Sequence, residues 1–342
     1  MKLLNEKNNQ STIYIGQKLF EIVDKKLGEY KRVILIADKK MEKVVRKNFN
    51  FDDIIFLEVN EKLKNIENYI FLLKKLIKMR VDRNSYILSI GGGVLSDLVG
   101  FVASTYMRGV KFSFIPTTLL SQVDASIGGK NGININGFKN LAGTFNCPEY
   151  IFVDLSFLNT LDIKNFRSGI AEIIKYGIIN DIKFFEYLYE NSDEILKKSE
   201  ENIEYIIYKS IQIKNSVVKK DKKEKNLRKI LNFGHTIGHA IELEKKLPHG
   251  FSVSIGMVYA AKISQFLDFT CKKTVERIVS LLEKYGLPTE VDIDNGVMLE
   301  NILKDKKKNG DYIDFIFIDK IGSPVIKEIK IKELSEIIKS LG

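Results

Sequence analysis

The chain has 342 residues, of which 44% are apolar and 29% are charged. At about 100–200 residues per domain, this length predicts two domains with sizeable cores, and the composition excludes a small disulfide scaffold or a largely disordered chain. The sequence has no apolar run near the roughly 20 residues that span a bilayer. Its start, MKLLNEKNNQ, turns polar after Leu4, so we expect a cytoplasmic protein with no membrane partner.

The 54 basic residues exceed the 44 acidic ones, which gives a net charge of +10. Such a charge fits a nucleic-acid surface, an anionic substrate or simply lysine-rich solvated faces. The basic residues form no arginine-rich or aromatic-interleaved patch, so we expect no nucleic-acid partner. Cys147 and Cys271 lie far apart and form no C-x-x-C motif, and we expect both to be buried thiols.

Short β-branched runs alternate with helical stretches over the first part of the chain. Strands and helices are predicted, in chain order, at Arg32–Asp38, Asp53–Val59, Glu67–Met79 (helix), Tyr86–Ile90, Val94–Met107 (helix), Lys111–Ile115 and Tyr150–Asp154. This alternation is typical of βαβ units and a parallel sheet. We therefore predict an α/β domain over residues 1–161, with a nucleotide at the carboxyl ends of its strands.

From Asp162 onward, helical periodicity replaces most of the strand signals. The predicted elements are helices at Ile170–Ile179, Phe184–Lys219 with at least one break, His235–Lys246, Ser252–Asp268, Thr274–Tyr285 and Lys332–Leu341, and a hairpin of Tyr312–Ile318 with Pro324–Ile331. Residues 162–342 are thus predicted to form a mostly helical domain. No Pro/Gly/Ser-rich linker separates the two domains, so we expect them to pack closely around an active-site cleft.

A glycine-rich stretch, GGGVLSD at residues 91–97, follows a predicted strand and opens a predicted helix. Bare backbone N–H groups at such a helix start can bind a pyrophosphate. Ser96 stands where the G-x-G-x-x-G pattern has its third glycine, and a plain tight turn would also use these glycines. Asp38 ends a predicted strand, where a carboxylate serves either a ribose hydroxyl or a helix cap.

All three histidines of the chain, His235, His239 and His249, fall within 15 residues. Residues four apart share one face of a helix, which suits two ligands of one ion, one ligand with one proton carrier, or a purely structural pair. A metal would also need a carboxylate. Glu172 in AEIIKYG is the candidate, because it lies in an otherwise apolar helix.

Several cations stand in glycine- and asparagine-rich surroundings: Arg108, Lys130, Lys139, Lys175, Lys214, Arg228 and Lys306–Lys308. Their convergence would suit a small polyanionic substrate. Only eight of the 54 basic residues are arginine. A retained arginine such as Arg228 therefore indicates a site that needs the planar, bidentate guanidinium.

The sequence resembles the 3-dehydroquinate synthase family of sugar-phosphate cyclases in five stretches, which follow in the same order and spacing: GGGVLSDLVGFVASTYMRGVKFSFIPTTLLSQVDASIGGKNGIN, GFKNLAGTF, AEIIKYG, LRKILNFGHTIGHAIE and LPHGFSVSIGM. The resemblance implies a Rossmann-like NAD-binding domain, a helical domain that holds a divalent metal, usually zinc with cobalt as the alternative, and a homodimer. Asn131 and Phe251 depart from the family, which usually has Thr and Glu there.

Carried over residue by residue, the family's metal ligands fall on Glu172, His235 and His249, which leaves His239 as a proton-handling residue. The implied NAD contacts are Asp38, Glu61, Lys64, Gly93, Val94, Leu95, Ser96, Asp97, Thr117, Thr118, Lys130, Lys139, Phe157, Leu158, Asn159, Thr160 and Leu161. The implied substrate contacts are Asp124, Lys130, Asn140, Lys175, Lys214, Arg228, Asn232 and Lys307, with Lys306 as the alternative to Lys307, and Arg108 acting across the dimer interface.

The resemblance also implies a reaction. The family converts 3-deoxy-D-arabino-heptulosonate 7-phosphate to 3-dehydroquinate and phosphate, as a carbon–oxygen lyase of the shikimate pathway and aromatic amino acid biosynthesis. The alternatives are another sugar-phosphate cyclase, such as an amino-dehydroquinate or deoxy-inosose synthase, and a metal-dependent polyol dehydrogenase of related fold. Arg228 and Asn232 favour a substrate that carries a carboxylate, whereas the dehydrogenase would accumulate NADH and release no phosphate.

The importance of Arg228 is testable by Arg228→Lys. Lysine keeps the charge but loses the bidentate fork, so we expect the KM for the anionic substrate to rise about tenfold. Steady-state kinetics measure the change. Unaltered KM and turnover would show that the position needs only a positive charge.

Overall fold

The computed structural model describes residues 2–5, 11–136, 138–306 and 310–341. Contacts between Cα atoms divide the chain into two compact units, Met1–Leu161 and Asp162–Gly342. The first unit is built on a parallel sheet, and the second is built mainly on helices.

The described residues of the first unit form nine strands: β1 (Lys2–Asn5), β2 (Thr12–Gly16), β3 (Val33–Asp38), β4 (Asp53–Leu57), β5 (Tyr86–Gly91), β6 (Lys111–Pro116), β7 (Lys130–Ile135), β8 (Phe138–Phe145) and β9 (Tyr150–Asp154). Seven of them make one sheet in the order β1-β2-β9-β6-β5-β3-β4. All neighbours in it are parallel except β1 and β2.

The helices of this unit are α1 (Phe20–Leu27), α2 (Glu42–Asn48), α3 (Ile66–Lys78) and α4 (Gly93–Thr105). Ile34 and Ile36 of β3 belong to a buried cluster that includes residues of α3 and α4. Leu35 of the same strand belongs to a second cluster, which includes residues of α1 and α2. Because successive side chains of a strand face opposite sides, both faces of the sheet are covered, which explains the continuous apolar runs in its strands.

Strands β7 and β8 form a separate antiparallel hairpin. β8 is mostly exposed, and its large apolar side chains Phe138, Leu141 and Phe145 are each more than half exposed. Strand β8 lacks the alternation of apolar and polar residues that marks a half-buried strand, which is why the sequence did not reveal it, whereas Ile133 of β7 is fully buried.

The second unit contains α5 (Ile163–Asn180), α6 (Ile182–Glu190), α7 (Ser192–Leu196), α8 (Glu200–Lys220), α9 (His235–Lys245), α10 (His249–Phe266), α11 (Lys272–Lys284), α12 (Asn295–Lys306) and α13 (Ile331–Leu341), with the antiparallel hairpin β10 (Tyr312–Lys320) and β11 (Ser323–Lys330). Among the helices described, none has the length and hydropathy that crossing a bilayer requires.

The core of this unit forms around α5 and α10, most of whose residues are buried. Two glycines of α10 allow its close contacts with other helices. A Cβ at Gly250 would overlap the backbone of Ser168 in α5, and a Cβ at Gly256 would overlap the carbonyl oxygen of Gly234, just before α9. The backbones of α5, α9 and α10 therefore approach more closely than side chains would allow.

The predicted fold class, an α/β domain followed by a mostly helical one, is confirmed. The sequence did not reveal β1, β2, α1, α2, the β7–β8 hairpin or α12, and the segment predicted at Phe184–Lys219 is three helices. The expectation that both cysteines are buried is wrong. Cys271 is exposed because it caps the start of α11 at the surface, and Cys147 is only partly buried.

The packing of α10 is testable by Gly256→Ala. The added methyl group overlaps backbone atoms that no side-chain rotation can move, so we expect the free energy of unfolding to fall by about 1–3 kcal/mol. Thermal or urea unfolding measures it, with Lys262→Ala on the exposed face of the same helix as the control. Equal stability of the two variants would contradict the close contact.

Candidate functional site

Glu172, His235 and His249 converge on one point in the second unit. The Nε2 atom of His235 lies 3.5 Å from Oε1 of Glu172, and Nε2 of His249 lies 3.4 Å from the same oxygen. One ligand atom from each residue lies within 4.8 Å of the others. Two imidazole nitrogens and one carboxylate oxygen at this spacing form the donor set of a divalent-metal site that leaves one position open for a substrate.

Local backbone geometry places these ligands. His235 begins α9 directly after Gly234, whose φ of 78° lies in the left-handed region, and His249 begins α10 directly after Pro248. The backbone N–H of Gly250 donates to Oγ of Ser168 at 2.9 Å. Ser168 and Glu172 are one turn apart on α5, so this hydrogen bond helps to place His249 beside the carboxylate of Glu172.

The second ring nitrogen of each ligand histidine also has a partner. Nδ1 of His235 lies 3.2 Å from the carbonyl oxygen of Phe233, and Nδ1 of His249 lies 3.2 Å from Oε2 of Glu242. Both partners are hydrogen-bond acceptors for a protonated Nδ1. With the proton held on Nδ1, Nε2 is the nitrogen that would face Glu172 and bind a metal once it has no proton of its own.

The carboxylate of Glu172 is fully buried and forms an ion pair with Lys175, one turn further along α5. Burial, with repulsion from Lys175, lowers the pKa of His235 well below its usual range, so its ring is neutral, the form that binds metals. Burial alone would also lower the pKa of His249, but hydrogen bonds to Glu172 and Glu242 outweigh it and raise that pKa to about 10. The site thus attracts positive charge, and its residues fit a divalent cation.

His239 lies close to both ligand histidines. Its ring centroid is 5.2 Å from that of His235 and 6.1 Å from that of His249. A second set of atoms within 4.8 Å of one another comes from His239, Glu242 and His249. The geometry thus offers two ligand sets that share His249, and the proton-handling role of His239 stays a prediction.

The other described substrate residues predicted in the second unit are three buried cationic residues and one asparagine. Lys175, Lys214 and Arg228 are all at most 6% exposed. A guanidinium nitrogen of Arg228 donates to the carbonyl oxygen of Lys222 at 2.8 Å. Nδ2 of Asn232 donates to Oε1 of Glu224 at 2.8 Å. The predicted Lys307 lies outside the described residues.

Two acidic residues were missed by sequence reasoning, Glu224 and Glu242. Glu224 is one of two acidic residues in the lysine-rich run KKDKKEK, so the sequence does not distinguish it from a surface charge. Its φ of 57° is known only from the structure. Glu242 had a usable signal, since it lies seven residues after His235 and three after His239, on the same helical face.

In the first unit, the glycine-rich stretch forms the predicted strand–turn–helix. β5 ends at Gly91, Gly92 is extended, and α4 begins at Gly93. The N–H of Thr117, after β6, donates to the carbonyl oxygen of Gly91 at 3.0 Å. A Cβ at Gly93 would lie 2.9 Å from Cβ of Ala125, so the helix start can pack against Ala125 only because residue 93 has no side chain. Such a helix start fits a pyrophosphate.

The remaining predicted cofactor residues lie at strand ends and in short turns. Asp38 ends β3, and its carboxylate accepts the N–H of Lys40 at 3.0 Å, which is the capping role that the sequence left open. Glu61 begins a 3₁₀ turn after β4, Lys139 is exposed on β8, and residues 157–161 follow β9. Thr118 hydrogen-bonds to Ser121.

Two predicted cofactor residues and one predicted substrate residue meet in the first unit. The ammonium group of Lys64, buried beside α4, forms an ion pair with Asp97 and a hydrogen bond with the side-chain oxygen of Asn140. Lys130 begins β7 and is exposed, Asp124 lies in a π turn at Ser121–Ala125, and the exposed Arg108 follows α4.

The metal assignment is testable by two histidine variants. We expect His249→Ala to lose stoichiometric zinc, because it removes one of three ligands, and His239→Ala to retain it. Metal analysis of dialysed protein measures both. Equal loss in the two variants would show that His239 is also a ligand.

Comparison with known proteins identifies the family. Residues 54–168 match the family model of the 3-dehydroquinate synthase N-terminal domain, and residues 169–308 match that of the C-terminal domain. The chain is 39% identical to a 3-dehydroquinate synthase of Dictyoglomus turgidum over 340 residues, which cover 97% of this chain and 96% of the relative.

Solved structures share the fold. A 2-epi-5-epi-valiolone synthase from Streptomyces hygroscopicus, with NAD+ and Zn²⁺ bound, is 22% identical, covers 100% of this chain and 99% of its own, and has a TM-score of 0.89. A 2-deoxy-scyllo-inosose synthase complexed with carbaglucose-6-phosphate, NAD+ and Co²⁺ is 25% identical, covers 96% of each chain, and has a TM-score of 0.84. The family models and the full-length relative together show that this chain belongs to the 3-dehydroquinate synthase family.

Proposed function

We propose that this chain converts 3-deoxy-D-arabino-heptulosonate 7-phosphate to 3-dehydroquinate and phosphate, with NAD+ and a divalent metal as cofactors. The observation that carries the proposal is the convergence of Glu172, His235 and His249 in a chain of the 3-dehydroquinate synthase family. Family membership supports the substrate, because curated relatives of nearly the same length have this activity in their names.

The cofactors are supported by the residues that would hold them. Glu172, His235 and His249 would hold zinc or cobalt, and the start of α4 at Gly93 would hold the pyrophosphate of NAD+. When bound, the metal acts as a Lewis acid towards substrate hydroxyl groups, and NAD+ accepts and returns a hydride. The related cyclase structures contain NAD+ with Zn²⁺ or Co²⁺.

The cations of the second unit would bind the two charged ends of the substrate. Arg228 is buried. Its backbone N–H donates to the carboxylate of Asp221, and its guanidinium donates to the carbonyl oxygen of Lys222. A guanidinium fixed in this way would bind a carboxylate at little entropic cost. Lys175 and Lys214 add positive charge in buried positions, where it stabilises anionic groups more strongly than in water.

His239 would move the proton of a substrate hydroxyl group. It lies one helical turn after His235, with its ring centroid 5.2 Å away, so a substrate group held at the metal position lies near its imidazole. Asn232, held by Glu224, would hydrogen-bond to the substrate. In the first unit, we propose that Asp124, Lys130 and Asn140 contact the substrate.

We further propose a homodimer in which Arg108 reaches the substrate phosphate of the partner. The exposed position of Arg108 and the exposed apolar side chains Phe138, Leu141 and Phe145 support an interface in this unit. The cytoplasmic location and the place in aromatic amino acid biosynthesis rest on the proposed activity alone.

One assay tests the proposal. Purified protein is mixed with zinc or cobalt, a trace of NAD+ and the heptulosonate phosphate, and inorganic phosphate and the carbocyclic product are measured together. We expect equal amounts of both and no net NADH, because the hydride returns to the substrate. Glu172→Gln, which removes a charged ligand, should abolish turnover.

Two outcomes contradict this function. Phosphate without the carbocycle excludes a cyclase. NADH accumulation without phosphate indicates a polyol dehydrogenase of related fold.

A further inference from the structure

The His249 ring lies between two carboxylates. On one side, Nε2 is 3.4 Å from Oε1 of Glu172, and on the other side, Nδ1 is 3.2 Å from Oε2 of Glu242. Glu172 comes from α5, and Glu242 comes from α9. His249 itself begins α10, so its ring is held at the meeting point of three helices.

The two ligand histidines differ in the acceptor that faces Nδ1. For His235 it is the neutral carbonyl oxygen of Phe233, two residues earlier in the chain. For His249 it is a charged carboxylate, seven residues earlier and on another helix. A hydrogen bond to a charged acceptor is roughly twice as strong as one to a neutral acceptor, and it fixes both the tautomer and the plane of the ring.

We propose that Glu242 is a positioning residue, which holds the His249 ring with Nδ1 protonated and Nε2 directed at the carboxylate of Glu172. The inference rests on the proposed metal site, because its effect is the affinity of that site for the ion. It assigns to Glu242 a role distinct from that of the three ligands.

The alternative is that Glu242 is itself a ligand, together with His239 and His249. Burial favours the positioning role. The Glu172 side chain has no exposed surface, so a cation beside it compensates the cost of removing a carboxylate from water, whereas the Glu242 side chain is 14% exposed. The two Nε2 atoms are also nearly equidistant from one Glu172 oxygen, as two ligands of one ion would be.

The first measurement is zinc affinity, by competition with a chromophoric chelator. We expect Glu242→Ala to weaken binding by about 10–100-fold while one zinc per chain is still bound at saturation. Glu242→Gln should recover part of the loss, because its amide oxygen can still accept the Nδ1 proton. Glu244→Ala, on an exposed position of the same helix, is the matched control and should bind zinc like the unaltered chain.

The second measurement reads the His249 ring itself. Because the chain has three histidines, ¹⁵N-histidine labelling gives the ring-nitrogen signals of three imidazoles, two for each ring, in the zinc-loaded protein. In Glu242→Ala we expect the Nδ1–H resonance of His249 to move upfield or broaden, since its charged acceptor is gone. The resonance of His235 should stay, because its acceptor is a backbone carbonyl.

Each outcome decides the inference. Unchanged zinc affinity and an unchanged His249 resonance in Glu242→Ala would overturn it while leaving the proposed function intact. Loss of stoichiometric zinc in Glu242→Gln, with an altered absorption spectrum of the cobalt-loaded protein, would show that Glu242 is a ligand and also overturn it. Failure of the unaltered chain to bind zinc would refute the metal site of the proposed function. If Glu242→Ala does not fold, Glu242→Gln decides.

Discussion

The second unit depends on one electrostatic constraint, a carboxylate with no access to water. Glu172 is fully buried in a helix that is otherwise apolar over most of its length. An isolated buried carboxylate costs several kcal/mol, so it persists only where cations or hydrogen-bond donors surround it. Here Lys175, on the same helix, supplies a cation to one carboxylate oxygen, and the imidazoles of His235 and His249 lie beside the other oxygen. An ion at the proposed metal site would add a second positive charge beside this carboxylate.

Much of this arrangement was predictable from the sequence, for physical reasons. Strand β3, which contains Ile34 and Leu35, is covered by helices on both faces of the sheet. Its sequence is therefore a continuous apolar run, which predicts a buried strand. Glu172 was identified because charged residues are rare in apolar helices unless they have a partner or a function. His235 and His249 were identified because the chain has only three histidines, which lie close together in the sequence. Strand β8 was not predictable, because its large apolar residues are exposed and have no regular spacing. The exposure of Cys271 was equally hidden, since it depends on where α11 starts at the surface.

Contacts between distant residues were beyond sequence reasoning. The sequence assigned Lys64 and Asp97 to the cofactor and Asn140 to the substrate. Only the structure shows that the buried ammonium group of Lys64 contacts the side chains of both Asp97 and Asn140. A cation shared in this way joins the first turns of α4 to the exposed strand β8. Glu242 is a similar case. Its place in the motif was visible, but its contact with the second nitrogen of His249 depends on how α9 meets α10.

Helix α10 packs closely on α5 at Gly250 and on the residue before α9 at Gly256. The three proposed ligands lie on α5, α9 and α10, so an ion held by all of them would cross-link segments that are distant in the chain. Because an unfolded chain offers no such preformed set, saturation with the ion raises the free energy of unfolding, by about 4 kcal/mol at roughly 1,000 times the dissociation constant. The melting temperature of this unit should therefore rise with the free concentration of the ion.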